Sequence, residues 1–124
     1  EKFYSWSDLK KGNIENVYSR DLLLTNIMIY ILTKTFNSAA WIYFGRREEG
    51  GRPFPKNFKK IRIPTAIAEF PKEMLSWPPK SYVKRIFNVK RWTKMKKGGH
   101  FAALEEPDLL VNDIRSFFNK DLNI

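Results

Sequence analysis

The sequence predicts an α/β architecture, and three observations carry that reading. Two β-favouring runs, Lys60–Phe70 and Val89–Met95, lie in the second half with helical spacing between them. A last amphipathic helix follows, and an apolar helical run, Leu22 to Leu32, stands in the first half. Strand, helix, strand, helix in that order implies two parallel strands, because a parallel neighbour is reached by a long crossover, usually a helix. Parallel sheets are covered on both faces. Two strands alone do not make such a sheet, so further strands are expected from elsewhere.

Residues 1–18 read as loop, with Trp6, Ser7, Asp8, Gly12 and Asn13 supplying turn chemistry without a period. A helix then begins. Ser19 is a good N-cap, Asp21 favours the first turn, and Tyr18 is placed to staple onto Leu23. Leu22 to Leu32 is apolar nearly all round, which predicts burial on most sides. It is too short for a membrane span, which needs about 20 residues. Helical character is expected to continue through Thr33–Phe44. Residues 45–58, with Gly45, Gly50, Gly51, Pro53 and Pro55, read as a linker or exposed loop and as the best domain boundary.

Ile61, Ile63, Ala66, Ile67 and Ala68 mark the first strand, where Pro64 is tolerable only near the start or at an unpaired position. After Pro78 and Pro79, the residues Tyr82, Val83, Ile86 and Phe87 recur at helical spacing. Val89, Trp92 and Thr93 favour the second strand, which Gly98 and Gly99 close. The last helix begins near Pro107, a favoured first-turn residue, with Asp108 beside it. Leu110, Ile114, Phe117 and Phe118 are expected to form its packing face.

Composition excludes several classes. The chain has 124 residues, 43% of them apolar and 15% aromatic, enough for a core and too many for a disordered basic tail. It has no cysteine, which removes disulfides, thiolate metal sites and a cysteine nucleophile. A single histidine argues against a multi-histidine metal centre. Absence of cysteine fits a reducing compartment and a cytoplasmic location. The chain begins at Glu1 rather than at a methionine and shows no signal peptide, which suggests a piece of something longer.

Charge is uneven. Of the formal net charge of +10, residues 1–58 contribute +3, residues 59–97 contribute +10 and residues 98–124 contribute −3. A basic stretch interleaved with Trp77, Tyr82, Phe87 and Trp92 suits a nucleic-acid surface, but a solvated lysine-rich face on an ordinary domain is the commoner outcome; no recognised nucleic-acid motif accompanies the stretch, and no nucleic-acid partner is expected.

Glu73 follows the first strand and His100 follows the second. The C-terminal edge of an open α/β sheet is where ligands bind. A carboxylate and an imidazole from neighbouring strand ends can meet, the carboxylate fixing one ring nitrogen while the other acts as base. Gly98 and Gly99 allow a tight backbone turn before the histidine. A lone histidine after a glycine pair is more often structural, so these residues by themselves leave both readings open.

Four runs decide more. Ile63-Pro64-Thr65, Phe70-Pro71-Lys72-Glu73, Arg91-Trp92-Thr93-Lys94-Met95 and Gly98-Gly99-His100-Phe101-Ala102-Ala103-Leu104-Glu105-Glu106-Pro107 closely resemble the C-terminal region of microsomal-type epoxide hydrolases. This family of the α/β-hydrolase fold includes the juvenile hormone epoxide hydrolases. Asp21 to Tyr30 resembles the family's lid helix, and the resemblance covers essentially the whole chain. It implies a C-terminal fragment of an α/β-hydrolase fold: residues 1–57 as the second part of the helical lid with a linker, and residues 58–124 as the last two parallel strands with their helices. His100 matches the family's general base, and Glu73, 27 positions upstream, the acid that orients it. Tyr43 aligns with one of two lid tyrosines that donate to the epoxide oxygen; a phenol is neutral at pH 7 and can hydrogen-bond a developing alkoxide.

The same resemblance implies hydrolysis of a small-molecule epoxide to a vicinal diol with no metal or organic cofactor. The family's aspartate nucleophile, its oxyanion hole and its first lid tyrosine belong to an N-terminal portion that these residues do not include. Membrane anchoring through such a portion stays open. Alternative roles stand beside this one. Glu73 alone suits loop capping, Tyr43 suits ordinary packing, and Trp41, Trp77 and Trp92 suit either a pocket lining or a core. Glu105 and Glu106 fit the dipole at the start of the last helix. A truncated remnant acting as an interaction module would self-associate through an exposed sheet edge. The same fold could also serve a dehalogenase or an ester hydrolase, but the glutamate acid and the Phe70-Pro71-Lys72-Glu73 run favour the epoxide branch.

Overall fold

Residues 1–18, expected as loop, contain two short helical pieces. α1 (Lys2–Ser5) is a single turn, and Ile14–Asn16 form a 3₁₀ turn. The Asn13 side chain starts the latter by accepting the Glu15 N–H at 2.9 Å. The computed structural model describes residues 1–9, 12–50 and 58–122. They fall into two compact units, Glu1–Val17 together with Lys59–Ile124, and Tyr18–Phe58. The first seventeen residues therefore group with the strands rather than with the helical pair, which moves them out of the 1–57 domain expected from sequence. The reason is specific: Trp6 and Asp8 hydrogen-bond to the turn that carries His100.

In the Tyr18–Phe58 unit, α2 (Arg20–Thr33) starts where Ser19 predicts, its hydroxyl accepting the Leu22 N–H at 3.1 Å. The helix does not run on to Phe44. Lys34 turns into the left-handed region at φ 56° and caps α2, its N–H reaching the carbonyls of Tyr30 and Ile31. Thr33 and Thr35 hydroxyls lie 2.7 Å apart across the break, and the rings of Tyr30 and Phe36 stack at 5.4 Å. α3 (Phe36–Glu48) follows, so Gly45, Arg46, Arg47 and Glu48 lie in helix rather than in a linker. Gly51, Pro53 and Pro55 of the expected linker lie outside the described residues.

The expectation that α2 is buried on most sides is overturned. Neither α2 nor α3 holds a buried residue, and Leu32 is 72% exposed. An all-round apolar helix needs cover on several faces. A two-helix unit offers one neighbour at most.

In the other unit, β1 (Ile61–Glu69) pairs in parallel with β2 (Phe87–Lys94) as a two-stranded sheet. Pro64 is accommodated at a register shift between Ile61 and Pro64, which spares the ladder the N–H that proline lacks. Between the strands, α4 (Lys80–Ile86) packs against β2 and buries Val83 and Ile86. Phe87, expected on that helix, already begins β2.

After β2 come α5 (Ala102–Glu105) and α6 (Pro107–Ser116), the latter with proline in its first turn. Phe117–Asp121 then continue as a π-helical turn. Half of the expected inward face of α6 holds, with Phe117 buried and Leu110 half-buried. Asp113 is buried as well, whereas Ile114 and Phe118 are nearly half exposed. Hydrogen bonding holds Asp113 inward: its Oδ1 accepts from Arg91 Nε at 2.8 Å and from Thr93 Oγ1 at 2.6 Å, both on β2. Asp121 adds a second contact to Arg91 at 3.2 Å. Its bond to Asp113 and that to Asp121 raise the Arg91 pKa above the usual arginine value, against the opposing effect of burial. Among the described residues, no helix is long and apolar enough to cross a membrane.

Candidate functional site

The parallel ladder continues past both strands and so brings their ends together. Met95 N–H donates to the Glu69 carbonyl at 2.8 Å, and Lys72 N–H to the Gly98 carbonyl at 3.1 Å. Lys72 and Gly99 form a further parallel bridge. One residue beyond that bridge on each side stand Glu73 and His100. Their side chains meet, His100 Nδ1 lying 2.8 Å from Glu73 Oε1. The same carboxylate oxygen accepts the Met74 N–H at 2.8 Å, so loop capping and imidazole binding fall to one group. With Nδ1 donating to the carboxylate, Nε2 carries the lone pair, and the arrangement can orient a base and stabilise its protonated form.

The turn before the histidine admits only glycine. A Cβ on Gly99 would lie 2.6 Å from the Trp6 carbonyl oxygen and 3.0 Å from the Lys72 carbonyl oxygen. Gly98 sits at φ +104°, with the Phe70 ring 2.8 Å from where its Cβ would be. Close backbone approach, not flexibility, is what the pair provides here.

Residues distant in sequence complete the surroundings. His100 N–H donates to the Trp6 carbonyl at 2.9 Å, and the Trp6 ring meets the imidazole edge-on at 5.1 Å between centroids. Trp6 and Asp8 carried no sequence signal as site neighbours, since their contacts span ninety positions or more. Beside the pair opens a cavity of about 310 Å³ lined by Glu73, Leu75, Ser76, Trp77, Pro78 and His100. Trp77 is held there by its Nε1–H on the Phe70 carbonyl at 2.9 Å. Trp92 instead donates to Glu69 and lies under the Lys80 ammonium. Trp41 belongs to the helical unit, its Nε1–H on Asn37.

Tyr43 lies on α3, in the Tyr18–Phe58 unit, with its side chain well exposed. Glu105 and Glu106 part company. Glu106 is the N-cap residue of α6 and pairs with Lys97 at 2.6 Å. Glu105 ends α5 and accepts three backbone N–H groups, so the helix-dipole role expected for it does not describe its contacts. Within the basic 59–97 stretch, Arg91, Lys94 and Lys97 face carboxylates.

Known proteins resemble this chain in sequence and in fold. Epoxide hydrolase 1 of Sus scrofa is 38% identical over 122 residues, which is 94% of this chain and 27% of that protein. The chain belongs to the epoxide hydrolase family and matches its C-terminal part. Juvenile hormone epoxide hydrolase 2 of Ctenocephalides felis is 33% identical over 116 residues, 94% of this chain and 25% of that protein. The fold is shared with the crystal structure of juvenile hormone epoxide hydrolase from the silkworm Bombyx mori. The TM-score is 0.78 at 22% identity, over 99% of this chain and 32% of that one. The two strands and their helices are thus the C-terminal part of an α/β-hydrolase fold. The chain spans about a quarter of the length of the curated relatives it matches. No family model matches it.

Proposed function

We propose that this chain supplies the base, its acid partner and a lid phenol to an epoxide hydrolase. The observation that carries the reading is the His100 Nδ1–Glu73 Oε1 contact of 2.8 Å at the C-terminal ends of two parallel strands, beside a cavity. The nucleophile in this reading is an aspartate from the larger share of the enzyme that the chain does not span. Its carboxylate attacks an epoxide carbon and the C–O bond breaks. The ring oxygen, held by the Tyr43 phenol, takes up a proton as it becomes a hydroxyl, leaving a hydroxyalkyl ester.

His100 Nε2 then removes a proton from water and the hydroxide adds to the ester carbonyl. Collapse expels the diol oxygen, which takes the proton back from the imidazolium. Regenerating the aspartate carboxylate releases one proton, which balances the one taken up at the first step. Glu73 orients the ring throughout and stabilises its charged form. The remainder of the enzyme is also the partner that the two-stranded sheet calls for, since each of its strands has an edge open to a further neighbour.

The test is His100→Gln in the complete hydrolase, with styrene oxide as substrate. Diol formation should fall by roughly 10²–10⁴-fold, the usual weight of a general base, while the alkyl-enzyme ester accumulates and is seen as added mass on the protein. Normal steady turnover by this variant would sink the assignment.

A further inference from the structure

We infer that Glu105 is a positioning residue for the His100 base, acting through the main chain on both sides of it; this rests on the function proposed above. Glu105 Oε2 accepts the N–H of Gly99 at 2.9 Å and that of Asp8 at 2.7 Å. Its Oε1 accepts the N–H of Phe101 at 2.9 Å. The two N–H groups flanking His100 thus end on one part-buried carboxylate. The His100 N–H itself ends on the Trp6 carbonyl at 2.9 Å. The Gly98 N–H ends on Asp8 Oδ2 at 2.9 Å, and Asp8 is held in turn by Glu105. Every backbone N–H from Gly98 to Phe101 is therefore fixed; Glu105 accepts two of the four directly and holds the Asp8 that accepts a third.

Glu73 and Glu105 divide the task. Glu73 binds the ring and sets its nitrogen, whereas Glu105 binds main-chain N–H groups on both sides of His100 and sets where its Cα stands. All three partners of Glu105 are donors, so only a group with acceptors on both oxygens satisfies them. A glutamine would turn an N–H₂ toward at least one N–H. A misplacement of about 1 Å at a reacting group can cost roughly 10²-fold in rate, which makes a main-chain clamp as consequential as the side-chain contact it supports.

The experiment compares Glu105→Gln with the unaltered enzyme in the complete hydrolase, using styrene oxide in rapid-quench single turnovers. Alkylation of the nucleophile does not use His100, whereas ester hydrolysis does. The hydrolysis rate constant should fall roughly 10- to 100-fold and the ester should accumulate, with the alkylation rate constant and burst amplitude within about twofold of the unaltered enzyme. Equal slowing of both steps, or a reduced amplitude with both rates unchanged, would mean a merely structural role and overturn the inference.

Glu105→Asp keeps the charge and shortens the reach, and should show a smaller effect on the same step; it serves if the glutamine variant does not fold. The imidazole Nδ1–H proton resonance provides a readout independent of the reaction. It should move upfield or broaden in the Glu105 variants although Glu73 is intact, and an unchanged resonance overturns the inference. An unaltered enzyme that forms no ester would defeat the proposed function instead, leaving this resonance to decide the positioning role.

Discussion

The strand-bearing unit buries side chains of its helices, while the two helices of the other unit, where Tyr18 before α2 is buried, do not. In the former, Phe70, Val83, Ile86 and Phe117 are buried, and Asp113, the one buried charge among the described residues, has two donors on a single oxygen. In the latter, Ser19 and Lys34 cap α2, yet neither α2 nor α3 holds a buried residue, and Leu24, Ile29, Ile31 and Leu32 are each more than half, or nearly half, exposed. Both helices are as well formed locally as those beside the sheet. Local signals define where a helix starts and stops, but burial needs a facing surface, and apolar content alone does not say where that surface lies.

Removing the buried charge strikes hardest at the strand-bearing unit. Asp113→Ala removes the acceptor shared by Arg91 and Thr93 and leaves Arg91 to Asp121; it should lower stability by about 3 kcal/mol, the lower end for breaking a buried ion pair because Arg91 is partly solvated and keeps that second partner. Urea denaturation measures it. A loss well under about 1 kcal/mol, the level of an exposed pair, would show that β2 and α6 are held by other means.

Next in size is the turn at the site. Gly99→Ala puts a methyl against three backbone atoms and should cost about 2 kcal/mol by overpacking. Exchange of the His100 amide, whose hydrogen bond to Trp6 must lengthen, should quicken accordingly. Full protection in the variant would mean the N-terminal segment shifts freely to make room.

The smallest effect belongs to the helical unit. Ser19→Ala removes the cap that holds the Leu22 N–H and should cost about 1 kcal/mol. The loss should be local, read as faster exchange at the first turn of α2, with the denaturation midpoint of the sheet-bearing unit unchanged. A shared drop in both would show that the two units unfold as one.

Much of this was legible from residues alone, for identifiable reasons. The two strands, their parallel pairing through a helical crossover, the Ser19 cap and the proline start of α6 all rest on short-range chemistry or on topology that admits few alternatives. The meeting of Glu73 and His100 was legible too, because strands paired in parallel carry their C-terminal ends to one edge. The start of α3 was not, because the break at Lys34 uses a left-handed residue that is not glycine, and no pattern announces it.

The sequence by itself determined the order of elements, the edge on which the candidate site lies and the residue types that meet there. Only the tertiary structure decided that Asp113 joins Phe117 on the inward face of α6 while Ile114 and Phe118 stay nearly half exposed, since Asp113 accepts hydrogen bonds from Arg91 and Thr93. It also decided that Trp6, Asp8 and Glu105 clamp the histidine turn. Such contacts join backbone groups to side chains across the whole length of the chain, and a backbone N–H leaves no mark on the identity of the residue that carries it.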